Sequence, residues 1–117
     1  MEENGPMFFD RKQSRHREVT VSELAALLRA GNALVVDVRE PEEFSAGHIP
    51  GAINMPLSQF RPSQLSDPGD KLLVLNCAAG RRSAMALEKC AAARAEIDTH
   101  LAGGFGAWQT ARLPVEV

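Results

Sequence analysis

The chain predicts a three-layer α/β/α domain, a mainly parallel central sheet covered by helices on both faces. Three observations carry this. Two short, unbroken aliphatic runs, "ALVVDV" (33–38) and "KLLVLN" (71–76), have the pattern of strands buried on both sides. Segments of helical periodicity alternate with them, and clusters of Gly, Pro, Ser and Asp separate the two kinds. Such alternation implies right-handed crossovers that place helices above and below the sheet.

The elements follow in order. Residues 1–17 carry Arg11, Lys12, Arg15 and Arg17 and show no apolar periodicity, so they read as a flexible polar leader ahead of a domain spanning 18–117. Its basic cluster is more simply a solvated tail than a docking patch. Thr20 and Glu23 have capping-box spacing, Val21, Leu24, Leu27 and Leu28 share a helical face, and Gly31 sits at the C-cap, so a helix is expected over 21–30. The strand "ALVVDV" comes next. "EPEEF" starts a short helix with Pro41 in its first turn and Glu42 and Glu43 suited to the N-terminal dipole. "GHIPGAINMP" is a turn-rich crossing with a short strand at "AINM". After a loop of Ser, Pro and Asp comes "KLLVLN", then a helix of good helix formers from Ser83 to about Ala95. "IDTHL" is the last strand, "AGG" a turn, and "FGAWQTA" a closing helix that stops near Pro114.

Composition narrows the class of function. At 117 residues, 44% hydrophobic and 24% charged, the chain suits one globular domain burying roughly two-thirds of its unfolded surface. A net charge of −2 argues against a nucleic-acid partner. No run approaches the ~20 apolar residues that cross a bilayer, which argues against a membrane partner. The acidic start "MEENGP" is unlike a secretory signal, and two cysteines are too few for a disulfide framework, so a soluble, cytoplasmic protein is expected.

The chemistry concentrates at "NCAAGRRS", residues 76–83. Cys77 ends a buried strand, and in open α/β sheets ligands bind at the carboxyl ends of strands, near helix N-termini. Ala78, Ala79 and Gly80 let the backbone curl, and Gly80 can take the positive φ that turns successive N–H groups inward as an anion nest. With Arg81 and Arg82 near by and a helix beginning at Ser83, the sulfur is favoured as a thiolate. The bland alternative is a small buried hydrophobe at a strand end. A structural cysteine needs no anion nest after it, which favours a nucleophile stabilised mainly by main-chain donors.

"CAAGRR" resembles the active-site loop of the rhodanese-like sulfurtransferases, with Cys77, Gly80 and Arg82 on the family's Cys-x-x-Gly-x-Arg pattern. "VVDVREPEEFSAGHIPGAINMP" (35–56) is similar to the opening signature of a rhodanese domain, and "LAGGFGAW" and "LPVE" are similar to its close. The resemblance covers about residues 19–117. It implies a rhodanese-like fold of about five strands and a thiosulfate sulfurtransferase without a cofactor. Cys77 would take sulfur from thiosulfate or a similar donor, hold it as a persulfide, and pass it to cyanide, a thiol or a carrier protein. The amides of Ala78, Ala79, Gly80, Arg81 and Arg82 would cradle the persulfide, Arg82 would order the loop and Arg81 would meet the anionic donor. A monomer or weak dimer is expected.

Loop length separates this reading from a cysteine-dependent phosphatase or arsenate reductase, whose arginine falls one residue later, where this chain has Ser83. A non-enzymatic module sensing anions or reactive sulfur is the third possibility. Ala78 and Ala79 stand where the family often has polar residues, so the sequence does not name the donor. Asp37 and Arg39, at the same carboxyl edge as Cys77, are expected to support the loop through an ion-pair frame with Glu43, with Ser83 as a further supporting residue. His48 is expected to stabilise its turn, and His100 sits in an expected strand without a nearby histidine; neither is a strong candidate for catalysis. Cys90 is expected in the core, since it lies near the apolar stripe of its helix with Ala84 and Leu87, and roughly 18 Å along the axis from Cys77 it is too far to resolve an oxidised Cys77. Phe105 and Trp108 should anchor the last helix, and scattered Cys and His define no metal site.

Overall fold

The computed structural model describes residues 16–117, so most of the expected leader lies outside the described residues. The order is β1 (Arg17–Val19), α1 (Val21–Arg29), β2 (Ala33–Asp37), α2 (Pro41–Ala46), β3 (Ile53–Asn54), two short 3₁₀ turns (Leu57–Gln59 and Pro62–Gln64), β4 (Leu72–Asn76), α3 (Arg81–Ala92), β5 (Thr99–Leu101) and α4 (Gly104–Thr110). The five strands form one sheet in the order β1-β5-β4-β2-β3, and every pairing is parallel. The five-strand α/β fold is therefore as expected.

The two aliphatic runs become the centre of the sheet because they can be covered on both faces. β2 and β4 pair over five residues, from Ala33 opposite Leu72 to Asp37 opposite Asn76. Alternate side chains separate into two cores. On one face Val35, Val74 and Leu101 meet Leu24 and Ala25 of α1 and Phe105 and Trp108 of α4. On the other, Val36, Leu73, Leu75 and Cys77 meet Ala86, Leu87 and Cys90 of α3.

The caps explain the helix boundaries. The Thr20 hydroxyl accepts from the Glu23 N–H at 3.1 Å while Glu23 accepts from the Thr20 N–H at 2.8 Å, so α1 starts where its capping box dictates. α1 ends in a Schellman motif, with Asn32 N–H donating to Leu27 O (2.8 Å) and Gly31 N–H to Leu28 O (3.1 Å). α3 starts two residues earlier than the composition suggests, at Arg81, because Gly80 at φ 108° turns the chain directly into the helix. It also ends earlier than expected, at Ala92.

β1 was not expected as a strand. It is three residues long and lies at a sheet edge, with Arg17 opposite Thr99 and Glu18 opposite His100. So short a half-exposed segment has no periodicity to read.

Candidate active site

Cys77 follows the last residue of β4, the strand flanked by β2 and β5, so it emerges at the middle of the sheet's carboxyl edge. It is 1% exposed. Its Sγ accepts hydrogen bonds from the Gly80 N–H at 3.1 Å and the Ser83 N–H at 3.3 Å, and the Ser83 hydroxyl lies 3.5 Å away. Burial pushes the Cys77 thiol up. The Ser83 hydroxyl and the N–H groups of Ser83, Gly80 and Ala79 together outweigh it, and the thiol titrates below its ordinary value. Cys90, equally buried but without such donors, is pushed up to about 11 by burial. The contrast isolates the cause: the nest, rather than the sheet, favours the thiolate at position 77.

Three sets of contacts hold the loop. From below, the N-terminus of α4 donates to it, Phe105 N–H to Cys77 O at 2.8 Å and Gly106 N–H to Ala78 O at 2.9 Å. This approach needs Gly104, where a Cβ would stand 2.5 Å from Cys77 O and 2.7 Å from the Ala78 carbonyl. From the side, Arg82 makes a two-pronged pair with Glu43 of α2, at 2.7 and 2.9 Å. The Arg82 guanidinium holds the Glu43 carboxyl down to about 2.

The third set frames the mouth. Arg39 is clamped on Asp37, with Nε at 3.0 and 3.1 Å from its two oxygens and Nη2 at 2.8 Å, while Nη2 also donates to Gly47 O at 2.8 Å. Its guanidinium lies 4.4 Å from the centre of the Phe105 ring. Asn54 fastens the turn by donating to Asp37 O and Arg39 O at 3.0 and 2.9 Å. Above this frame opens a cavity of about 330 Å³ whose lining includes Arg39, Glu43, Ala78, Phe105 and Gln109.

The structure thus brings Asp37, Arg39, Glu43, Cys77, Gly80, Arg82 and Ser83 to one sheet edge. It divides the expected frame in two, however: Arg39 pairs with Asp37, and Glu43 pairs with Arg82. The amides that hydrogen-bond the sulfur are those of Gly80 and Ser83, and the Ala79 amide adds a weaker pull toward the thiolate. Among the described residues the N–H groups of Ala78, Arg81 and Arg82, expected to cradle the persulfide, make no hydrogen bond to Sγ itself. His48 stabilises its turn, with Nδ1 donating to Phe44 O at 2.8 Å and its ring stacked on Phe44 at 3.8 Å.

Ser83, expected as a supporting residue, lies against the sulfur with both its N–H and its hydroxyl. One feature escaped the sequence. His100, set aside for want of a histidine neighbour, stands 6.3 Å from the ring of His16 and places Nδ1 2.7 Å from the Ser83 hydroxyl. The strand pattern could have placed His100 on the α3 face, but not opposite one particular serine. Among the described residues, no group of three or more His, Cys, Asp or Glu is arranged to hold a metal ion. No helix among them is long and apolar enough to cross a membrane.

Comparison with known proteins adds an independent line. The family model "Rhodanese-like domain" matches residues 20–111. The uncharacterized protein slr1261 of Synechocystis is 43% identical over 91 residues, which cover 78% of this chain and 51% of that protein. The human thiosulfate:glutathione sulfurtransferase is 31% identical over 104 residues, covering 77% of this chain and 90% of its own. A Rhodopseudomonas palustris structure described as a protein of unknown function, possible tyrosine phosphatase, superposes with a TM-score of 0.75 at 29% identity, covering 96% of this chain and 99% of that one. The chain therefore spans nearly all of some relatives and about half of others.

Proposed function

The chain belongs to the rhodanese-like domain family, and on that premise we propose that it is a sulfurtransferase working through a Cys77 persulfide. The observation that carries this reading is the short nest around Sγ, with N–H donors from Gly80 and Ser83 at 3.1 and 3.3 Å. It stabilises an anionic sulfur with main-chain donors beside the Ser83 hydroxyl, and among the described residues no imidazole, carboxylate or amine is in hydrogen-bond contact with it. In the first step the thiolate attacks the outer sulfur of thiosulfate or a similar sulfane donor. The donor's S–S bond breaks, its electron pair leaves with sulfite, and Cys77 keeps a persulfide whose charge rests on the same amides. In the second step an acceptor nucleophile, a thiol or a carrier protein, attacks the outer sulfur and returns the thiolate.

Arg82 orders the loop through Glu43, since its guanidinium is already engaged there. Arg81 is left to meet an anionic donor, and Asp37 and Arg39 hold the rim. A phosphatase reading finds less support. A phosphoryl cradle needs a longer loop with arginine at the place of Ser83, and here that residue lies against the sulfur itself.

Thiosulfate treatment of the reduced protein should add one sulfur by intact mass, removable with cyanide and absent from Cys77→Ser. A wild type that gains no sulfur from thiosulfate or a low-molecular-weight persulfide, yet turns over an aryl phosphate, would overturn the reading.

A further inference from the structure

The Cys77 thiol is only 1% exposed, and the backbone N–H groups around Sγ can donate a proton but cannot accept one. A continuous chain of side chains leads away from it. Ser83 Oγ lies 3.5 Å from Cys77 Sγ and 2.7 Å from His100 Nδ1, and His100 Nε2 lies 3.4 Å from Glu18 Oε2. Ser83 is fully buried and His100 is 5% exposed, whereas the Glu18 side chain is 60% exposed. We propose that Ser83, His100 and Glu18 form a proton relay from the buried Cys77 sulfur to solvent, with His100 a positioning residue that acts through Ser83. The proposal rests on the reading of Cys77 as the nucleophile.

The geometry selects the protonation pattern the relay requires. Ser83 Oγ has two acceptors for its one proton, Gly80 O at 3.2 Å and His100 Nδ1 at 2.7 Å, and the shorter contact favours the imidazole. An acceptor Nδ1 puts the ring proton on Nε2, the nitrogen that faces the Glu18 carboxylate. Burial lowers His100 below its ordinary value, Glu18 opposes that and His16 adds to it. The ring is therefore neutral and able to accept near pH 7. Beyond these, the charged groups acting at the two ends are Arg82 near Cys77, with its partner Glu43, and Asp37 near Arg82.

In the forward direction the Cys77 S–H bond breaks as an O–H bond forms on Ser83. The original Ser83 O–H bond breaks as an N–H bond forms at His100 Nδ1. The hydroxyl now donates to the thiolate, the imidazolium pairs with Glu18, and its Nε2 proton leaves to water at the sheet edge. Each bond broken is matched by one formed, and the net change is one proton moved from sulfur to solvent.

The test is the rate of Cys77 alkylation by iodoacetamide against pH, in the full chain without any sulfur donor. It reads thiolate formation whether or not sulfur transfer occurs, so failure of the relay and failure of the proposed function are told apart. Ser83→Ala and His100→Gln should displace the profile to higher pH and slow alkylation near neutrality by about tenfold, the scale of one hydrogen bond to a charged group. Glu18→Gln, at an exposed position, should slow it by about twofold to threefold. Glutamine can keep a hydrogen bond to Ser83 but cannot take a proton, so a His100→Gln profile that superimposes on wild type overturns the relay. A second measurement leaves Ser83 and His100 intact. The NMR titration of the His100 imidazole should move to lower pH in Cys77→Ser, where no thiolate supports the imidazolium, and an unmoved titration overturns the proposal as well.

Discussion

Glu43 and Arg82 lie 39 positions apart, and their pairing is the clearest case of a residue-scale contact with a measurable signature. Arg82 depresses the Glu43 carboxyl from 4.5 to about 2. A group whose folded value is depressed contributes stability that is fully present above its unfolded value and is lost as pH falls through the folded one. The contribution should therefore be complete above pH 4.5 and fade between 4.5 and about 2. Urea unfolding of Glu43→Gln should show a shallower loss of stability than wild type across that window, and the two curves should converge at its acid end. Equal slopes would mean that the pair contributes nothing. Arg82 was legible as the residue that closes the loop. Its partner was not: "EPEEF" offers two glutamates in a row, and only the orientation of α2 chooses Glu43.

At the scale of the element, the helix ends carry an unequal burden. α1, α3 and α4 all close with Schellman hydrogen bonds, Ala95 N–H to Cys90 O (2.9 Å) in α3 and Leu113 N–H to Trp108 O (3.3 Å) in α4. The left-handed position is Gly31 in the first, but Arg94 (φ 59°) in the second and Arg112 (φ 60°) in the third. A side chain in that conformation costs about 1–2 kcal/mol, part of which glycine would return as extra freedom in the unfolded chain. Arg94→Gly should therefore raise stability by about 0.5–1 kcal/mol, read from the denaturation midpoint at unchanged slope. A lower midpoint would show that the arginine side chain contributes more than its backbone costs. The sequence announces the start of α1 through Thr20 and Glu23, yet it hides the end of α3, because no glycine marks it and alanines run on past the boundary.

At the scale of the molecule, the sheet divides the interior into two cores with different consequences for the site. Leu24, on the α1 and α4 face, and Leu87, on the α3 face, are both essentially inaccessible to solvent. Truncation of either to alanine should cost about 2–5 kcal/mol. The effects on Cys77 should differ. Leu87 packs the helix that carries Arg82 and Ser83, so Leu87→Ala should also slow Cys77 alkylation, whereas Leu24→Ala should leave the rate of the folded protein unchanged. An equal effect of both on alkylation would show that the loop is held by the sheet as a whole rather than by α3.

Periodicity and local chemistry by themselves determined the four helices, the strands β2 to β5, the parallel architecture, and the placing of Cys77 before an anion nest. These rest on interactions between residues a few positions apart, which a linear reading can see. Tertiary structure alone decided the edge strand β1, the division of the four charged residues into Asp37–Arg39 and Glu43–Arg82, the close approach of Gly104 beneath the loop, and the path from Cys77 through Ser83 and His100 to Glu18. The reason is physical. Each of these depends on groups from different elements meeting at distances near 3 Å, and such meetings follow from strand order and the register of one layer on the next.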